Sequence, residues 1–86
     1  MMRVTREQGG EGLVIRLEGD LSGEFVDLVR RECCVQRPPQ RLRIDLGRLG
    51  RADEAGLKLL RELRGRGDVE LLNCPPILHT LMNGMP

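Results

Sequence analysis

Asp53-Glu54-Ala55-Gly56-Leu57 stands where one periodicity gives way to another. Before it, Arg41-Leu42-Arg43-Ile44-Asp45-Leu46 alternates polar and apolar residues, the period-2 pattern of a half-buried strand. After it, Leu57, Leu60 and Leu63 recur at helical spacing within Leu57-Lys58-Leu59-Leu60-Arg61-Glu62-Leu63. A carboxylate therefore opens a helix just past the end of a strand. In α/β folds this is where ligands and partners are met. The stretch holds no hydroxyl, thiol or imidazole, so the obvious place for chemistry has no nucleophile.

The remaining elements follow outward from this junction. Upstream, Leu13-Val14-Ile15-Arg16-Leu17-Glu18 is a strand rich in β-branched residues. Gly19-Asp20-Leu21 is expected to turn out of it, with Ser22 as N-cap and Glu24 in the first turn of a helix. That helix is expected to reach about residue 35, with Phe25, Leu28, Val29 and Cys33 on its inner side and Pro38-Pro39 forbidding its continuation. Residues 2–6 read as a short edge strand, and Gln8-Gly9-Gly10-Glu11-Gly12 as the turn after it. Residues 47–52 read as a connection. Downstream, the helix over 53–64 ends at Gly65 or Gly67. A strand over 68–72 and a short helix over 76–82 follow, with residues 83–86 frayed.

The expected fold is α/β: one domain over residues 1–86 with a mixed four-stranded sheet in the order β-β-α-β-α-β-α. Strand-helix-strand units make parallel neighbours through right-handed crossovers. Parallel strands covered on both faces are continuously apolar, but these alternate. Leu13, Ile15 and Leu17 share a face, as do Leu42, Ile44 and Leu46, and Val69 and Leu71. Arg16, Glu18, Arg41, Arg43, Asp45 and Glu70 fall on the other. The helices should lie mainly on one face, leaving the other open and laced with opposite charges.

Composition narrows the function. The chain has 86 residues, 14 basic and 13 acidic, for a net charge of +1. This balance argues against nucleic acid held by bulk charge. All the basic residues but Lys58 are Arg. Phe25 is the sole Phe, Tyr or Trp, so no base-stacking platform or aromatic cage can be built. No segment approaches the roughly 20 apolar residues that span a bilayer, and Met1-Met2-Arg3-Val4-Thr5-Arg6-Glu7 lacks an apolar signal core. A cytoplasmic protein without direct membrane insertion is expected. Three cysteines suit reduced thiols better than a disulfide framework.

Each candidate residue has a structural role to set against a functional one. Asp53 is first an N-cap, though a cap can also touch a partner. Glu54 is an ordinary first-turn carboxylate that could imitate a phosphoryl charge. Gly56 is costly in a helix, so something must approach it closely. Cys33 and Cys34 diverge by about 100° on a helix and cannot easily share a metal; Cys33 should fill the core and Cys34 be partly exposed. Cys74 and His79 lack the further ligands of a zinc site and the third group of a nucleophile pair. Gly9-Gly10-Glu11-Gly12 precedes a strand instead of following one, unlike a phosphate loop. Arg48 and Arg51 could hold an anion weakly at the helix start. Neither a metal nor a cofactor is expected.

Gly19-Asp20-Leu21 before a helix, the strand Ile44-Asp45-Leu46, the helix start Asp53-x-x-Gly56-Leu57 and Asn73-Cys74-Pro75 after a short strand occur in one order. This ordered set resembles a STAS domain, the module of sulfate transporters and anti-sigma-factor antagonists. The resemblance covers nearly the whole chain, which is short for the family. It implies a non-catalytic protein-interaction module. In phosphorylated members the helix start reads Asp-Ser-Ser-Gly, and a partner serine kinase modifies the second Ser. Aligned on Asp53 and Gly56, those serines are Glu54 and Ala55, so no phosphorylation is expected at position 55. The resemblance leaves Arg51, Asp53, Glu54, Ala55 and Lys58 as the partner-binding surface. The partner it implies is an anti-sigma factor or serine kinase. A transport ATPase is the alternative, with the chain as accessory subunit of an ABC-type lipid-transport complex. A weak nucleotide- or anion-binding domain, or a weakly self-associating one joined by the open sheet face or the first strand, are further alternatives.

Overall fold

The computed structural model describes residues 2–9, 12–34 and 41–83. Along these residues run β1 (Met2–Gly9), β2 (Gly12–Leu21), α1 (Gly23–Cys34), β3 (Leu42–Ala52), α2 (Glu54–Arg64), β4 (Val69–Leu72) and α3 (Pro76–Asn83). The sheet order is β1-β2-β3-β4, with β1 antiparallel to β2 and the other pairs parallel. The expected end of the first helix at residue 35, the Pro38-Pro39 stop, residues 84–86 and the Cys34 side chain lie outside what is described.

The alternation in the strands decides where the core sits. Leu13, Ile15 and Leu17 of β2 and Leu42, Ile44 and Leu46 of β3 are buried, together with Val29 and Cys33 of α1 and Leu59, Leu60 and Leu63 of α2. Leu78 and Met82 of α3 close the same cluster. The opposite sheet face carries the ion pairs Arg16–Asp45 (3.5 Å), Arg16–Glu7 (3.8 Å) and Arg43–Glu70 (3.9 Å). Helices thus cover one face, and charged side chains cross-link the other.

β3 is longer than its sequence pattern suggests. Residues 47–52, expected as a connection, continue the strand. The register with β2 runs Arg16↔Asp45, then Glu18↔Arg48, then Asp20↔Arg51, so β3 gains one residue near Gly47 and another near Gly50. Each bulge resets the side on which side chains emerge. Inward positions therefore advance from Leu42, Ile44 and Leu46 to Leu49 and Ala52, in steps of three instead of two. The broken period hid the strand. The same pairing carries β2 through Gly19-Asp20-Leu21, where a turn was expected. Gly19 accommodates the second shift at φ 98°, a backbone conformation that favours glycine.

The first bulge is fastened from two sides. Asp45 Oδ1 accepts from the Gly47 backbone N–H (2.9 Å) and from the Asn73 amide (3.2 Å). Asn73 ends β4 in the left-handed region at φ 55°, which Asn tolerates better than most residues.

α1 corrects the expected inner stripe. Val26, Val29 and Cys33 are buried, Phe25 packs on the core's flank and Leu28 is 42% exposed. At about 100° per residue, Leu28 falls well outside the arc centred on Val26, Val29 and Cys33. Gly65 ends α2 as expected, although its φ of −74° is right-handed and its N–H donates to the Arg61 carbonyl. β4 begins at Val69, one residue after the expected start.

Gly56 records the close approach inferred from sequence. A Cβ there would stand 2.5 Å from the Leu21 carbonyl oxygen at the end of β2. Gly56→Ala is therefore expected to destabilise the fold by about 1–2 kcal/mol despite better helix propensity, because a backbone atom cannot step aside. Leu60→Ala is expected to cost about 2–5 kcal/mol through the cavity it leaves. Urea unfolding of both variants checks these values; a stabilised Gly56→Ala would contradict the packing described.

Candidate functional site

Two strand-to-helix turns meet at the C-terminal ends of β2 and β3. β2 passes through Leu21 and Ser22 into α1, and β3 passes through Ala52 and Asp53 into α2. Asp53 joins them. Its backbone N–H donates to the Leu21 carbonyl (3.0 Å), and its own carbonyl accepts from Leu57 N–H (2.8 Å). Its side chain accepts twice, at Oδ1 from Gly56 N–H and at Oδ2 from Gly23 N–H, both at 2.8 Å. One carboxylate thus caps α2 and also reaches the first residue of α1.

This revises the expected cap of the first helix. Ser22 stands at the capping position and its carbonyl accepts from Phe25 N–H (2.9 Å). The side chain recorded at this helix start is that of Asp53, thirty residues away. A carboxylate placed beside two helix N-termini also meets the positive ends of both peptide dipoles. The Gly56 and Gly23 N–H groups hold the Asp53 carboxyl below the usual aspartate range.

The remaining predicted residues surround this clamp. Arg51, Glu54, Ala55 and Lys58 are all exposed. Glu54, Ala55 and Lys58 line a shallow depression that Arg61 completes. Arg61 was missed from sequence, although it lies at helical spacing from Lys58 and Glu54 and that spacing could have found it. Gly23 was missed as well: a Cβ on it would lie 3.8 Å from the Ala55 Cβ. No sequence signal links residues 23 and 55; the fold alone brings them together. The surface over the paired helix starts is therefore low, built from a glycine and a methyl group and bordered by charged side chains.

Its chemistry is limited by what is present. Both Asp53 oxygens are occupied by backbone donors, which suits an acceptor that holds structure more than one that moves protons. Arg48 and Arg51, the candidate anion site, lie opposite Glu18 and Asp20 in the strand register, so each cation has a carboxylate as its neighbour. Elsewhere, burial raises the Cys74 thiol above its ordinary pKa, and its S–H faces the Pro75 carbonyl at 3.7 Å. Asn83 Nδ2 lies 2.9 Å from His79 Nε2, and Arg64 donates to Asn83 Oδ1. Among the described residues, no group of three or more His, Cys, Asp or Glu side chains could hold a metal ion, and no helix is long and apolar enough to cross a membrane.

No protein-family model and no curated protein sequence matches the chain. Solved structures do. The anti-sigma-factor antagonist SpoIIAA in its unphosphorylated form superposes with a TM-score of 0.68 at 26% identity, over 98% of this chain and 84% of that one. An anti-sigma-factor antagonist STAS domain from Rhodobacter sphaeroides gives a TM-score of 0.55 at 23% identity, over 84% and 86%. An uncharacterized protein with a SpoIIAA-like fold from Shewanella loihica gives 0.55 at 15% identity, over 81% and 65%. The chain has the SpoIIAA-like fold of STAS domains, and it is similar in kind to anti-sigma-factor antagonists.

The clamp makes a pH prediction. The Asp53 pKa is lower folded than unfolded, so its contribution is complete above the unfolded value of roughly 3.9 and is lost as pH falls through the folded value. Asp45, held down chiefly by the Gly47 N–H, and Asp68, held down by Arg66, act with the same sign. Asp53→Asn retains one acceptor and leaves one N–H without its partner. It should lower the melting temperature at neutral pH and flatten, without abolishing, the decline between pH 5 and pH 2. Equal losses at both ends of a melting series would contradict a charged clamp.

Proposed function

We propose that this chain is a non-catalytic, cytoplasmic docking module of the anti-sigma-factor-antagonist kind. It binds its partner through Arg51, Asp53, Glu54, Ala55 and Lys58, and it has no phosphoryl switch at position 55. The observation that carries this reading is the exposed Ala55 beside Gly23 at the paired helix starts. The similarity to SpoIIAA supports the class. The charged border supplies specificity, and the low centre admits a partner's side chain. With alanine where a phosphorylated relative carries serine, the surface keeps a single charge state, so the module acts as a constitutive partner. An anti-sigma factor with serine-kinase activity is the partner that this chemistry fits.

Two measurements test the reading. Incubation with ATP and an anti-sigma-factor serine kinase, followed by mass spectrometry, should find the peptide over residues 52–58 at its unmodified mass; a phosphate on it would sink the claim. Ala55→Trp puts bulk on the low centre and should abolish capture of the kinase while changing stability by less than about 1 kcal/mol. A folded Ala55→Trp variant that binds with unchanged affinity would move the docking surface elsewhere.

A further inference from the structure

β1 is one edge of the sheet. It pairs with β2 on one side over its full length, from Met2↔Gly19 to Gly9↔Gly12. An edge strand of this kind presents a row of backbone donors and acceptors that another strand can use. Arg3, Arg6, Glu7, Gln8 and Gly9 are exposed, and Met2, Val4 and Thr5 are partly so. The two faces of β1 are known from its neighbours. Arg6 pairs with Glu32 of α1 at 3.3 Å, which puts Met2, Val4 and Arg6 on the helix side. Thr5 lies opposite Arg16, which pairs with Asp45, so Arg3, Thr5 and Glu7 face the open side.

We propose that β1 pairs antiparallel with β1 of a second copy of this chain, centred on Thr5, to make a continuous eight-stranded sheet across a two-fold axis. The charge pattern selects both the occupant and the register. Residues facing each other across an antiparallel pair must emerge on the same side of the sheet, so a self-pairing has to centre on a residue. Centring on Arg3 or Arg6 sets arginine against its own copy, and centring on Glu7 does the same with glutamate. Centring on Val4 brings no opposite charges together. Centring on Thr5 sets Arg3 opposite Glu7 of the second copy and, by symmetry, Glu7 opposite Arg3. Thr5 then meets Thr5, and the strand pairs along residues 2–8. Opposite charges and paired threonines are both favourable facing pairs.

The surrounding sheet agrees with this seam. In register, Arg48 of β3, Glu18 of β2 and Arg3 of β1 form a row of alternating sign. The seam would add Glu7 of the second copy to that row, continuing the alternation. The Glu7 carboxylate has room for it: its side chain is 62% exposed, and its contact with Arg16 is long at 3.8 Å. On the helix side, Val4 would meet the aliphatic stem of Arg6, whose head group is held by Glu32. The interface is isologous, so it closes at two copies and leaves no edge of β1 open. Its seam is β1 alone and includes none of the residues proposed to bind the partner.

Sedimentation equilibrium over a concentration series tests the proposal. The unmodified chain should show a reversible monomer–dimer equilibrium that weakens as salt is raised. Arg3→Glu and Glu7→Arg each place like charges in contact twice across the axis, so each should weaken self-association about tenfold or more. Mixed in equimolar amounts, the two variants are complementary and should form a heterodimer of near-original affinity. Should Glu7→Arg fail to fold beside Arg16, hydrogen exchange on the unmodified chain decides: the outward amides of β1 should gain protection as concentration rises. A chain that stays monomeric at every concentration overturns the proposal. So do variants that dimerise undiminished, which would move the interface to the exposed Ile77 and Leu81 of α3 or to the open sheet face. Folded variants that fail to complement each other, or β1 amides indifferent to concentration, overturn it too.

Discussion

One aspartate holds the functional end of this molecule together. Asp53 uses its N–H, its carbonyl and both carboxylate oxygens, and the four partners belong to the end of β2, the start of α1 and the first turns of α2. Two strand-to-helix turns that are thirty residues apart in sequence become one unit. Without the carboxylate, two helix N-termini would lie side by side with unsatisfied N–H groups and like-signed dipole ends. With it, the helices can approach until Gly56 meets the Leu21 carbonyl and Ala55 meets Gly23. The low surface proposed for docking is a consequence of that approach. Its small residues are those that the packing of the two turns permits.

The open sheet face follows a different logic. Its charges are placed so that neighbouring strands present opposite signs: Glu7, Arg16 and Asp45 across three strands, and Arg43 and Glu70 across two. Individually such exposed pairs contribute little to stability. Collectively they fix which strand registers are compatible with each other, since a one-residue slip would move the leucines outward and the charges inward. At the outer edge of β1 the same alternation has no neighbouring strand among the described residues, and this makes it a candidate for recognition instead of internal support.

Much of the architecture was legible in the residues. Alternation at 13–18 and 41–46 located two central strands and their buried face. The spacing of Leu57, Leu60 and Leu63 located α2, and the cost of glycine inside a helix pointed to close contact at Gly56. The candidate docking residues were readable because they sit around a recognisable helix start. The errors cluster where local pattern was interrupted. Residues 47–52 read as a connection because two bulges change the side-chain period, and Leu28 reads as inward because an isolated stripe does not reveal its own centre.

What the sequence determined by itself was therefore everything carried by periodicity and local backbone chemistry: the order of strands and helices, the apolar face of the sheet, and the absence of a hydroxyl at the start of α2. Only the tertiary structure decided which groups distant in the chain share a partner. Gly23 depends on Asp53, and Asn73 fastens the bulge at Asp45. A hydrogen bond acts over about 3 Å of space whatever the separation along the chain. Such contacts leave no mark in the spacing of residues and exist only once the strands have brought their ends together.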